Sequence, residues 1–130
     1  MLQIYVYVEG SDLQDVEELL LQSFQIFLEN WHIDSARIIN DKPDVIPDTE
    51  IDYYPDWNMG LNVEVPSLAR QKIEELTAFL CELAGKSGCE FVIGFVKQKP
   101  DYVITEDLCF IGEKLKPDTV DFLADQFRPA

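Results

Sequence analysis

Six carboxylates crowd one sixteen-residue stretch: Asp41, Asp44, Asp48, Glu50, Asp52 and Asp56. A single base, Lys42, accompanies them, and Tyr53, Tyr54 and Trp57 are interleaved at the far end. Such residues offer two kinds of chemistry. Hard oxygen ligands suit Ca²⁺ or Mg²⁺, but the glycine and final glutamate of an EF-hand do not fall at the required spacing. The same carboxylates pair bidentately with arginine on a partner protein. Tyrosine and tryptophan bring large contact area at low entropic cost and dominate interface energetics. Charge pairs across interfaces couple by about 1.5–7 kcal/mol and speed encounter. The nine residues Asp41, Asp44, Asp48, Glu50, Asp52, Tyr53, Tyr54, Asp56 and Trp57 are therefore a candidate partner-binding set. The competing reading has the aromatics tucking the segment onto the core while the acids are merely solvated.

Chemistry for catalysis is sparse. The one histidine, His32, follows a helical stretch beside Trp31, where it would meet the last carbonyls and the helix dipole. Nothing near it forms a nucleophile motif, and there is no P-loop, GxGxxG or HExxH. Cys81, Cys89 and Cys109 are odd in number and lack CxxC spacing, which argues against a disulfide scaffold and a zinc knuckle. Each sits in an apolar stretch as a small hydrophobe, which suggests a reducing compartment. No enzymatic role, cofactor or resident metal is expected.

The acidity has a direction. The 130 residues carry 25 acids and 10 bases, a formal net charge of −15 with a pI near 4.1. Residues 1–64 hold fourteen acids against Arg37 and Lys42, a net of −12, and residues 65–130 hold eleven acids against eight bases, a net of −3. Phosphate backbones and anionic membranes repel such a surface, so direct binding to nucleic acid or membrane is disfavoured. The expected partner is a basic protein. Residues 1–9 have neither a basic region nor a long apolar run, so no signal peptide is expected, no segment approaches a membrane span, and a cytoplasmic location follows.

Periodicity supplies the elements that must position these groups. Leu2, Ile4, Val6 and Val8 alternate against Gln3, Tyr5 and Tyr7, which predicts a strand over 2–8. Ser11 with Gln14 predicts a capping box opening a helix to about Asn30, with Leu13, Val16, Leu20, Phe24, Phe27 and Trp31 as its stripe. Leu19, Leu21, Ile26 and Leu28 widen that stripe and predict cover on more than one side. A short strand is expected at 36–39, a long loop at 40–59, and a strand at 61–65. Pro66 and Ser67 are expected to open a second helix ended by Gly85 or Gly88. An apolar strand is expected at 89–96, with lone Gly94 marking a bulge or a close backbone approach. A turn over 97–101 leads to a strand over 102–111, with Glu106–Asp107 as the place it would be interrupted. Lys97 and Lys99 at this tip read as solvated edge protection. Pro117 and Asp118 start a last helix. The order β-α-β-β-α-β-β-α over a single 1–130 domain predicts an α+β fold, ferredoxin-like, with a mostly antiparallel sheet and helices on one face.

The run Ile51-Asp52-Tyr53-Tyr54-Pro55 resembles the Tyr-Tyr-Pro recognition segment of the colicin nuclease immunity proteins, which is also preceded by Ile and surrounded by acids. The likeness covers about six residues, and that family is shorter and all-helical. It implies Tyr53 and Tyr54 as anchors, Glu50, Asp52 and Asp56 as charge partners, and a basic toxin nuclease domain as the partner. In size, acidity and its expected mixed fold the chain also resembles the varied immunity proteins of contact-dependent and other secreted bacterial toxins. The alternative expectation is a ferredoxin-like regulatory or adaptor domain that forms a homodimer through its sheet or binds a small ligand. A small metal-dependent enzyme is the third.

Overall fold

The alternation of residues 2–8 forms β1 (Leu2–Val8), the middle strand of a five-stranded sheet. The computed structural model describes residues 2–10, 13–41 and 58–128, apart from the side chains of Lys97 and Gln98. After β1 come α1 (Glu17–Trp31), β2 (Arg37–Asp41), β3 (Asn58–Val65), α2 (Arg70–Ser87), β4 (Phe91–Gln98), β5 (Val103–Ile111) and α3 (Thr119–Gln126). The element order is the one predicted. The sheet runs β2-β3-β1-β4-β5, and every neighbouring pair is antiparallel.

Alternate strand residues divide between two faces. Ile4, Val6, Val8, Met59, Leu61, Val63, Phe91, Ile93, Phe95 and Ile111 share one hydrophobic cluster with Leu20, Phe24, Trp31, Leu76, Leu80, Leu123 and Phe127 of the helical segments. The helices thus cover this face, and each fully buried large side chain there contributes about 1.5–3 kcal/mol. Phe27 of α1 stacks on Phe79 of α2 with centroids 4.2 Å apart. Cover does not extend all round α1: Leu19 and Ile26 are exposed, Ile26 at 57%. No helix among the described residues is long and apolar enough to cross a membrane.

Several boundaries differ from expectation. Leu13 is buried and its carbonyl accepts from the Val16 N–H at 3.1 Å, so a turn precedes α1 and the helix starts at Glu17, past the expected capping box. Ser11 lies outside the described residues. At the other end His32 adopts the left-handed conformation, φ 60°. The carbonyl of Trp31 accepts from Lys72 Nζ, so a lysine on α2 takes the part expected of the histidine. The second helix begins at Arg70, three residues after Ser67, and ends at Gly88, φ 72°, whose N–H donates to the Ala84 carbonyl at 2.9 Å. Gly85 continues the helix. Strand β2 reaches Asp41 and β3 starts at Asn58, because the two residues pair across the sheet. Strand β4 runs on to Gln98, so the turn shrinks to Pro100–Asp101, closed by the Lys99 N–H on the Tyr102 carbonyl at 2.9 Å. Strand β5 is continuous, and the predicted interruption is a bulge.

Candidate functional site: the open face of the sheet

The face turned away from the helices is built from residues of all five strands, and the register places them in rows. One row reads Ile39, Gly60, Tyr7, Val92, Phe110. The next reads Arg37, Asn62, Tyr5, Gly94, Asp107. A third reads Glu64, Gln3, Val96, Thr105. Asp41 and Asn58 form the start of a further row. The face therefore offers a largely apolar row beside a polar one, and a concavity of about 780 Å³ lies over it.

The polar row is held by a fixed network. Ile93 pairs with Cys109 while Gly94 pairs with Asp107, so Leu108 is the extra residue of a β-bulge. The bulge keeps Asp107 on the open face. Gly94 has no side chain, and the ring of Tyr5 lies over it, with the Tyr5 hydroxyl donating to Asp107 Oδ1. Tyr5 is only 7% exposed although it faces away from the main core. Burial, followed by the hydrogen bond to the Asp107 carboxylate, pushes its phenol well above the usual range. Tyr7 stacks beside it, centroids 5.3 Å apart, and its hydroxyl donates to Asn62 Oδ1 at 3.0 Å. The tyrosines are thus preorganised. Tyr7 is half-buried and Phe110 is 56% exposed, so the apolar row keeps contact area for a partner.

Charge is distributed unevenly around this frame. Ion pairs between described side chains all lie beyond residue 69: Arg70 with Glu74 (3.3 Å) and Asp121 (2.5 Å), Lys72 with Glu75 (3.8 Å), Lys86 with Glu82 (3.0 Å), and Arg128 with Asp125 (2.6 Å). Arg70, Lys72, Lys86 and Arg128 are engaged by acids near them. Glu9, Asp15, Glu18, Glu29, Asp34, Asp41 and Glu64 are exposed and make no ion pair among the described residues. No group of three His, Cys, Asp or Glu among the described residues is placed to hold a metal ion.

Of the nine residues predicted as a binding set, Asp41 is described: it is the exposed last residue of β2. Asp44, Asp48, Glu50, Asp52, Tyr53, Tyr54, Asp56 and Trp57 lie outside the described residues. The described chain stops at Asp41 and resumes at Asn58, its register partner on β3. Sequence reasoning missed the open face. The signal was the pair Tyr5 and Tyr7 on the polar side of the first alternation, together with Gly94. No protein-family model, curated protein or solved structure matches this chain.

Proposed function

We propose that this chain is a stoichiometric inhibitor of the immunity type, which binds a basic toxin domain, a nuclease by charge preference, and occludes its substrate surface. One observation carries the reading. The ion pairs among described side chains are confined to the second half, while Glu9, Asp15, Glu18, Glu29, Asp34, Asp41 and Glu64, all exposed, make none among the described residues. That field is available to a partner, and it favours the surface a nuclease turns toward phosphate. The open sheet face, which also carries Glu64 and Asp41, adds fixed tyrosines and an exposed phenylalanine, the composition of an interface hot spot. The segment 41–57 is the second proposed contact, by its composition and by its anchoring at Asp41 and Asn58. The same reading treats β1–β4 with α1 and α2 as a ferredoxin-like unit carrying an added edge strand. It is supported by the order β2-β3-β1-β4.

The test is genomic and then biochemical. The neighbouring gene should encode a secreted protein with a basic C-terminal domain, and that purified domain should bind one-to-one with an affinity that falls steeply with salt. Absence of binding at low salt would overturn the proposal. A second reading, a small-ligand or dimerising adaptor, is favoured by the concavity over the open face. A homodimer on sizing chromatography, with no response to the basic domain, would select it.

A further inference from the structure

Two side chains of opposite charge line the concavity over the open face without meeting. Arg37 on β2 pairs in register with Asn62 on β3, and Glu64 lies two residues further along β3 on the same face. Such diagonal neighbours stand about 7–8 Å apart, within reach of long side chains. Both are exposed, and neither makes an ion pair among the described residues. Arg37 is one of two bases in residues 1–64, so it stands unpaired in the more acidic half of the chain.

Its neighbours are fixed so that donors remain. The Tyr7 hydroxyl donates to Asn62 Oδ1 at 3.0 Å, which leaves Asn62 Nδ2 as a donor beside Arg37 with no partner among the described residues. The Glu64 N–H donates to Ser35 Oγ at 3.2 Å, which ties β3 to the approach of β2 at this corner. The other charged groups around the concavity lie elsewhere. Asp107 accepts from Tyr5 at the opposite edge of the sheet, and Glu9 lies past the end of β1.

Charge selects the class of ligand. A net anion is repelled by a chain of charge −15. A cation alone leaves Arg37 unanswered and beside it. A zwitterion carries no net charge and answers both side chains: the planar guanidinium and the amide suit a carboxylate, and Glu64 suits an ammonium. In an α-amino acid those two groups share one carbon, and its third substituent is free to lie toward β1. There Tyr5, Tyr7 and Val92 line the concavity with ring and methyl surface. The volume of about 780 Å³ lies within the usual size of small-ligand sites, in which a few placed polar groups orient a ligand against apolar walls.

We propose that the β2–β3 end of this concavity binds a free α-amino acid with an apolar side chain, its carboxylate on Arg37 and Asn62, its ammonium on Glu64 and its side chain against Tyr7. The inference rests on the small-ligand reading above and gives it a ligand class.

The probe is L-phenylalanine at millimolar concentration, added to the full chain and followed by backbone amide chemical shifts. Phenylalanine amide lacks the carboxylate, and N-acetylphenylalanine lacks the ammonium. L-phenylalanine should give saturable shifts at residues 37, 62 and 64, and each control should bind roughly tenfold more weakly. Arg37→Gln should weaken L-phenylalanine roughly tenfold and leave phenylalanine amide unchanged, while Glu64→Gln should weaken it likewise and leave N-acetylphenylalanine unchanged. Both positions are exposed, so the thermal midpoint should stay in place. Equal binding of the three compounds would overturn the head-group assignment while keeping a small-ligand site. No saturable shift with any of them would overturn the amino-acid site, and the small-ligand or adaptor reading would then rest on the homodimer alone. Binding of the basic domain is measured separately and is untouched by either result.

Discussion

The ring of Tyr5 stands where a side chain on Gly94 would have to stand. A methyl group built on Gly94 overlaps both the tyrosine ring and the Glu106 carbonyl oxygen. The strand glycine is therefore a seat for one aromatic residue of the neighbouring strand, and the bulge at Leu108 on β5 keeps Asp107 at that residue's hydroxyl.

We predict that Gly94→Ala costs about 3 kcal/mol, the upper end of what overpacking does in a tight site. Urea denaturation with an unchanged slope would report it. Adding Tyr5→Ala should not restore stability, since the backbone oxygen of Glu106 remains in the way. A Gly94→Ala variant as stable as the parent would disprove the seat.

The alkaline side of the stability profile should bend at the sheet. Burial pushes the Cys109 thiol from 9.0 up to about 11. Its folded value is raised, so the contribution is full below about pH 9 and is lost as pH rises toward 11. The Tyr5 phenol, also raised, adds to the same loss above its ordinary value of 10.0. We expect the urea midpoint to fall between pH 9 and 11, and Cys109→Ala to flatten part of that fall. At pH 8 the folded protein should resist thiol alkylation at Cys109 and react once unfolded.

His32 caps α1 with φ 60°, a conformation that costs a non-glycine residue about 1 kcal/mol. We predict that His32→Gly is neutral to stabilising, by up to roughly 1 kcal/mol after the greater chain entropy of glycine is counted. The imidazole is exposed. A large loss of stability in thermal denaturation would mean that the side chain holds the helix end.

Binding to the basic domain should divide between the two proposed contacts. Glu64→Lys on the open face and Tyr54→Ala in the 41–57 segment are each expected to weaken the complex by about 1–3 kcal/mol. The effect of Glu64→Lys should shrink in high salt, because Glu64 is exposed. Titration calorimetry at two ionic strengths separates the charge effect from the packing effect. Unchanged affinity in both variants would move the interface elsewhere on the acidic half.

Local pattern in the sequence determined what repeats locally. The alternation of residues 2–8 specified β1, helical spacing specified α1 and α2, and lone Gly94 specified a bulge or close approach. The charge asymmetry was also legible, because counting needs no geometry. The start of α1 was not: Ser11 and Gln14 have the right spacing for a cap, but burial of Leu13 sets the turn that precedes the helix. Nor could the sequence say that Lys72 rather than His32 would meet the Trp31 carbonyl, forty-one residues away along the chain. The open face shows the limit most clearly. Tyr5 is separated by scores of residues from Gly94 and Asp107 and becomes their neighbour only through the register of β1, β4 and β5. A one-residue slip turns every side chain to the other face, so register is set by which face the helices cover. That is a property of the assembled core, and only the tertiary structure decided it.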